Sequence, residues 1–301
     1  MNAGAATDCG LLRARNEDRY WIDEGRGAFL VVDGVGGHAA GDLAAEIAVS
    51  EIRESLCGAG DFACQSESPQ PPAEDRIRAA ITRANNRIFE FAQEDPACRG
   101  MACVLTLAVL EDGELTLGHV GDSRLYLVWR GAMRKLTSDH SPVGQEEEAG
   151  VLSEEEAMSD SRRNAIFRDV GSQPRSAVEE DFIDIRKCRF RLDAAILLCS
   201  DGLTDQVTAA QVREIIARYD GDAERVAGEL VMAARSAGGK DNATALFVAG
   251  PEFRARAHVT RLRQSASNTR GRRYGVLGRL AYLAYGLLLG MLVWAVLRAR
   301  G

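Results

Sequence analysis

Apolar positions along the chain fall into two rhythms and one long run. Short apolar blocks broken by Gly and Asp predict buried strands at Ala28–Val32, Met101–Leu110, Glu114–Val120, Leu125–Arg130, Ala194–Ser200 and Ala243–Val248. The Asp112-Gly113 step between the second and third predicts a hairpin. Helical spacing joins Ala44, Ile47, Ala48, Ile52 and Leu56, and again Ile77, Ile81, Ala84, Ile88 and Phe91. Val212, Ile215 and Tyr219 form a third stripe; Val226, Ala227, Leu230, Val231 and Ala234 form a fourth. Such stripes are core faces and carry no chemistry of their own. Cys57–Pro72 reads as a surface loop, and His140–Ser161 as a loop-rich acidic stretch. Strands and helices do not alternate strictly, so a doubly wound parallel sheet is disfavoured. The predicted class is α+β with mainly antiparallel sheet.

The long run is Leu280–Leu297, eighteen residues without a charge. As a helix it spans roughly 27 Å, close to the hydrocarbon thickness of a bilayer. Tyr282, Tyr285 and Trp294 sit near its ends, and Arg279 can snorkel. A buried core helix is the competing reading; the arginines bracketing both ends weigh against it. Eight Arg precede the run from Arg254 onward and two follow it, which places the bulk of the chain on the cytoplasmic side. The expected organisation is a folded domain at 1–250, an Arg-rich juxtamembrane linker at 251–275 attracted to anionic lipid, and a transmembrane helix at 276–298. No signal peptide is expected, because Met1–Arg15 lacks an apolar core.

Charge sharpens this division. The 301 residues carry a net −7, but residues 251–301 hold ten Arg against the single acid Glu252. Residues 1–250 are left with 27 bases and 43 acids, a balance of −16. So acidic a body is a poor nucleic-acid binder and suits a site for divalent cations. The seven cysteines have irregular spacing and no C-x-x-C pair, which excludes a zinc ribbon and points to a reducing compartment. Cys103 and Cys199 read as small buried hydrophobes.

Acids recur at the ends of the apolar blocks: Asp33-Gly34, Asp122 in Gly-Asp-Ser-Arg, Asp201-Gly202 and Asp241-Asn242. Asn16-Glu17-Asp18 adds a fifth cluster. A carboxylate at a strand end is rigidly aimed, and a following Gly lets backbone approach and present a carbonyl. Any one Asp-Gly is read most simply as a turn. Four in the same grammar suggest convergence, and converging carboxylates stay ionised only if a cation intervenes. Hard oxygen donors without Cys or His select Mg²⁺ or Mn²⁺.

Six segments in order resemble the metal-dependent Ser/Thr protein phosphatases of type 2C. They are Arg13-x-x-Asn16-Glu17-Asp18, LVVDGVGGHAAG from Leu30, GHVGDSRLY from Gly118, LTSDHS from Leu136, LLCSDGLTD from Leu197 and GGKDNAT from Gly238. The similarity runs over about residues 5–249 and is of bacterial character. It implies two packed antiparallel β-sheets flanked by helix pairs, an αββα sandwich, with a binuclear Mn²⁺ or Mg²⁺ centre at one edge. It implies that Asp33 bridges two ions, that the Gly34 carbonyl binds one, and that Asp201 and Asp241 bind the other. Asp122 with Asp201 matches a third, weaker site. Glu17 and Asp18 would hold waters on the ions, and Arg13 would grip the substrate phosphate.

The implied reaction is hydrolysis of phosphoserine and phosphothreonine by water activated between the ions. The implied partners are phosphorylated proteins, substrates of a eukaryotic-like Ser/Thr kinase, together with membrane lipid around the C-terminal helix; nucleic acid is not expected. Many eukaryotic members have His after Asp-Gly where this chain has Val35, so the proton donor to the leaving group is unassigned. His38 is read as a local structural hydrogen-bonder or a group acting near the site, His119 as core and His140 as structural. Arg168 is read as part of an Arg-x-x-Gly element, and the acids of the flap 141–172 as a solvated helix face, with selection of basic phosphosegments or a share in the metal balance as the alternatives. The alternative is a catalytically silent, membrane-tethered module that binds metal or phosphopeptide; silent relatives usually lose metal carboxylates, and none is missing here.

Overall fold

All six predicted strands form, but they are the inner strands of a larger frame. The computed structural model describes residues 1–35, 40–58 and 70–255. In chain order the elements are β1 (Asn2–Asp8), β2 (Asp18–Asp23), β3 (Ala28–Val35), α1 (Gly41–Cys57), α2 (Ala73–Glu94), β4 (Ala102–Glu111), β5 (Glu114–Val120), β6 (Arg124–Trp129), β7 (Ala132–Lys135), α3 (Pro142–Glu148), α4 (Glu154–Ser159), β8 (Asp184–Arg189), β9 (Ala194–Cys199), α5 (Asp201–Thr204), α6 (Ala209–Ile216), α7 (Ala223–Ser236) and β10 (Ala243–Ala249). One sheet has the order β1-β10-β9-β6-β7 and the other β2-β3-β4-β5-β8. Every pairing is antiparallel.

Neighbouring residues on a strand face opposite sides, and here both sides are covered. Phe29 and Val31 of β3 meet Ile196, Leu198, Leu246 and Val248 of the other sheet. Leu30 and Val32 turn away to pack with Ile52 of α1 and Ile77, Ile81 and Ile88 of α2. On the far side Leu197 and Phe247 pack against Val212 of α6 and Leu230 of α7. The result is helices, sheet, sheet, helices, the sandwich that the resemblance implies. The inner strands are buried on both faces, which is why they read as unbroken apolar blocks rather than as alternation. The Asp112-Gly113 hairpin forms, with φ of 51° and 75° closing the Glu111–Glu114 pair.

The differences from expectation have physical causes. The strands not foreseen, β1, β7, β2 and β8, are the four sheet edges. Edge strands expose one face and carry polar residues, as in Asp-Ile-Arg-Lys-Cys-Arg of β8. The stretch expected as acidic loop holds α3 and α4, nucleated by serine caps. Gly144 N donates to Ser141 Oγ (3.0 Å), and Ser153 with Glu156 forms a reciprocal capping box. Helix α6 stops at Ile216, so Tyr219 lies beyond it, its ring 5.6 Å from Phe247 and 5.3 Å from Phe253.

The predicted linker and membrane helix lie outside the described residues apart from 251–255, as do His38 and residues 59–69 of the predicted surface loop. Among the described residues no helix is long and apolar enough to cross a membrane.

The layered core makes a stability contrast. Phe29→Ala empties a fully buried position between the sheets and should cost about 3–5 kcal/mol in urea unfolding. Leu192→Ala, at a position 57% exposed, should stay within about 0.5 kcal/mol. Equal losses would contradict the layer assignment.

Candidate functional site

Strand ends from both sheets and one loop meet at a single edge of the sandwich. The β2–β3 register sets Asp18 directly opposite Asp33. Asp201 opens α5 just after β9, and Asp241 and Asn242 just precede β10, its neighbour in the sheet. Asp122 sits in the connection from β5 to β6, and Arg13 and Glu17 in the loop from β1 to β2. Arg13, Glu17, Asp33, Asp122, Asp201 and Asp241 line one cleft of about 290 Å³, together with Gly34 and Val35. Asp18 does not line it; it is buried, 1% exposed. Asp122 and Asp201 also line a smaller adjoining cavity of about 30 Å³, shared with Asp205, Arg124 and Arg163.

The Asp-Gly steps are shaped by close backbone approach. A Cβ on Gly34 would lie 2.2 Å from the Gly41 carbonyl oxygen, and one on Gly202 would lie 1.9 Å from that of Asn242. Only glycine leaves room for these crossings.

Electrostatically the cleft is a set of carboxyls that resist ionising together. Burial raises Asp33 well above the usual carboxylate range, and the charges of Asp18, Asp201, Asp122 and Asp241 add to it. Asp201 is raised likewise by burial and then by Asp122, Asp205 and Asp241. Burial lifts Asp122 to about 7, with Asp139 and Asp205 contributing. Asp18 is lifted to about 6 by burial, against the hydrogen bond from Ser200. Glu17 is raised by burial, although Arg13 opposes the shift.

Some of these acids are wired. Ser200 Oγ donates to Asp18 Oδ2 (2.7 Å) and accepts from Thr244 N (2.9 Å), joining the two sheets. Asp18 Oδ1 is buried without a hydrogen-bond partner. Arg13 Nη2 donates to Asp241 Oδ2 (2.6 Å), while Asp241 Oδ1 accepts from Asn242 N (2.8 Å). Asn242 clamps the Arg13 loop: its Oδ1 accepts from Glu17 N (2.8 Å), and its Nδ2 donates to the carbonyls of Cys9 and Arg15 (2.9 Å each).

Among the described residues, no three acid, His or Cys side chains stand gathered as a finished shell around one ion. The donor set nevertheless fits a hard dication. It is all oxygen; its carboxyls are raised by one another; and the orphaned Oδ1 of Asp18 needs a partner. Asp33, the Gly34 carbonyl, Asp201, Asp241 and Asp122 are the groups that could hold such ions.

Seven of the eight predicted site residues therefore line one cleft, and the eighth, Asp18, is register partner to one of them. Arg13, expected on a phosphate, lies on Asp241. His119 is core, its Nδ1 2.9 Å from Thr106 Oγ1. The flap acids are not merely solvated: Glu147 pairs with Arg124, Glu146 with Arg162 and Glu148 with Lys135. Ser200, Asn242, Asp205, Asn164 and Ile166 belong to the two cavities or their wiring and were not singled out by the sequence reading. Ser200 and Asn242 had a signal, since each adjoins a predicted ligand.

The comparisons with known proteins agree with this geometry. The family profile described as protein phosphatase 2C matches residues 13–232. The serine/threonine phosphatase stp of Listeria innocua is 33% identical over 251 residues, covering 82% of this chain and 95% of that protein. The protein phosphatase PhpP of Streptococcus pneumoniae is 31% identical, covering 82% of this chain and 97% of its own. Among solved structures, the catalytic domain of the serine/threonine protein phosphatase PstP in complex with two manganese ions superposes with a TM-score of 0.69. It is 27% identical and covers 82% of this chain and 96% of that one.

The raised acids fix a sign for pH dependence. A carboxyl whose pKa is higher folded than unfolded stabilises fully below the unfolded value, and that contribution is lost as pH rises through the folded value. For Asp18 the window runs from 3.8 to about 6. In chelator-treated protein the melting temperature of wild type should therefore fall across this window more steeply than that of Asp18→Asn. Parallel curves would show that Asp18 ionises without cost.

Proposed function

Because the chain belongs to the protein phosphatase 2C family, we propose that the carboxylate cleft hydrolyses phosphoserine and phosphothreonine in proteins, with two Mn²⁺ or Mg²⁺ ions and a third, weaker one. The observation that carries this reading is the gathering of mutually repelling acids from both sheets at one edge. Asp33 and the Gly34 carbonyl would hold one ion, Asp33, Asp201 and Asp241 another, and Asp122 with Asp201 the third. When bound, the ions supply Lewis acidity to the phosphoryl oxygens and to the attacking water.

The chain's own residues do the rest. Arg13 is half exposed, its side chain 47% accessible. Its guanidinium offers parallel N–H donors that suit two oxygens of a phosphate, and it can share them between Asp241 and substrate. Asp18 has Oδ2 fixed by Ser200 and Oδ1 still able to accept, so it can orient a water beside Asp33. Glu17, its pKa raised by burial, can take a proton at the rim of the cleft. Val35 offers none to the leaving alkoxide. The silent docking alternative has little support, since Asp33, Asp122, Asp201 and Asp241 are all in place.

The reading extends to a tether. We place the catalytic domain on the cytoplasmic face of a membrane, held by 276–298 through the Arg-rich segment 251–275. The support is the uncharged run Leu280–Leu297 and the arginines before it. Its substrates would then be proteins phosphorylated by a Ser/Thr kinase of the same compartment.

The full chain should hydrolyse a phosphothreonine peptide with Mn²⁺, lose activity to chelator and regain it when Mn²⁺ returns. Asp33→Asn and Asp201→Asn should be inactive yet melt cooperatively. Turnover at the wild-type rate by either variant, or in chelator, would remove their assigned roles. For the tether, the full chain should stay with membranes after alkaline washing, and a chain lacking 276–301 should not. Release of the full chain by the wash would exclude an integral anchor.

A further inference from the structure

Asp122 belongs to the four-residue turn Gly121–Arg124, and its three companions are each tied to another part of the molecule. Gly121 N donates to His140 Nδ1 (2.9 Å), and His140 N donates back to Gly121 O (2.7 Å). Ser123 Oγ shares a hydrogen bond with Thr106 Oγ1 (2.9 Å). Arg124 donates through Nε and Nη2 to Asp139 Oδ2 (2.9 and 2.6 Å). The dipeptide Asp139-His140 therefore grips the turn on both sides of Asp122. Both residues are buried, 4% and 3% exposed.

The grip has something to fix. Gly121 has φ of 108°, and a Cβ there would lie 2.2 Å from the Val104 side chain. Glycine enters this region freely, so the backbone at Gly121 is not fixed by its own sterics and takes its direction from the groups that hold it. The His140 ring is chemically committed to that task. Since Nδ1 accepts from Gly121, the ring proton of the neutral form is on Nε2. Nε2 lies 3.3 Å from Asp184 Oδ2, the carboxylate that can accept it. Arg168 Nη1, 3.0 Å from Nε2, donates to Asp184 Oδ1 (2.9 Å). His140 O accepts from Phe167 N (2.9 Å), so the residue also holds the end of the flap.

We propose that His140 is a positioning residue for Asp122: its Nδ1 lone pair holds the Gly121 turn that aims the Asp122 carboxylate between the two cavities, and cation binding there depends on it. The inference rests on reading Asp122 as a cation ligand, and it makes the flap exit and the cation site share one joint. Asp122 makes no hydrogen bond to the ring; the coupling passes through the Gly121 amide.

Two substitutions separate the ring's two nitrogens. In His140→Asn the amide oxygen stands where Nδ1 was and can still accept from Gly121. In His140→Gln the amide reaches towards Asp184 and that acceptor is lost. By calorimetry on the full chain, His140→Gln should weaken the weakest class of Mn²⁺ sites ~10-fold, with His140→Asn close to wild type. Asp122→Asn should remove that class, and His140→Gln added to Asp122→Asn should change nothing further. Equal weakening by Asn and Gln, or a further loss in the double variant, overturns the inference. Asp122→Asn with wild-type Mn²⁺ binding overturns its premise instead, so the two failures are distinct. A measurement on the unmutated chain covers the case in which a variant does not fold. By linkage, a cation that needs the His140–Gly121 bond must strengthen it. Exchange of the Gly121 amide should therefore slow when Mg²⁺ is added, and unchanged exchange overturns the inference.

Discussion

Repulsion among carboxylates at one edge of the sandwich is the constraint that the structure is arranged around. Asp18 and Asp33 face each other across a strand pair, and Asp201 and Asp241 arrive from the opposite sheet. Left on flexible chain, such groups would separate. Here Asp33 lies on a strand buried on both faces, Asp201 and Asp241 flank two more, and Asp18 is held in register opposite Asp33, so the repulsion appears as raised pKa values and not as displacement. The apolar layers hold the acids together, and the acids store the affinity for positive charge.

Hydrogen bonds across the sandwich complete that hold. Ser200 joins Asp18 in one sheet to Thr244 in the other. Asn242 closes the loop that carries Arg13 onto the start of β10, using its oxygen and both amide hydrogens in three contacts. A side chain so fully used is rigid. Arg13 and the acid Asp241 are consequently parts of one small unit, and the 2.6 Å pair between them follows from that proximity.

The sequence was legible where a residue's environment is signalled by its neighbours in the chain. Asp33, Asp201 and Asp241 each adjoin an apolar block, and that block becomes a doubly covered strand, so both the strand and the aim of its terminal acid could be read. The edge strands β1, β2, β7 and β8 could not, because a strand with one exposed face carries Asn, Asp, Arg and Lys like any loop. Helix α4 starts at the Ser153–Glu156 capping box and is too short to show an apolar stripe, so its stretch reads as loop. Arg13 could be assigned to phosphate only through the motif. Its contact with Asp241 joins residues at opposite ends of the domain, and nothing local announces it. Ser200, Asn242 and His140 each stand in or beside a motif, but their partners are brought to them only by the fold.

The flap shows how far this dependence on distant partners reaches. Its acids look like a solvated face when counted along the chain. In the structure Glu147 reaches the partly buried Arg124, Arg163 reaches Asp205 at 2.6 Å, and Phe167 N reaches His140 O. The first two attachments line the smaller cavity, which Asp122 and Asp201 share with the main cleft. The segment's charges therefore belong to the balance of the site: Arg163 supplies positive charge where Asp205 would otherwise stand beside Asp201 uncompensated. Any change in the flap's position must alter the field at Asp122 and Asp201. The flap is thereby an electrostatic part of the cleft as well as one of its walls.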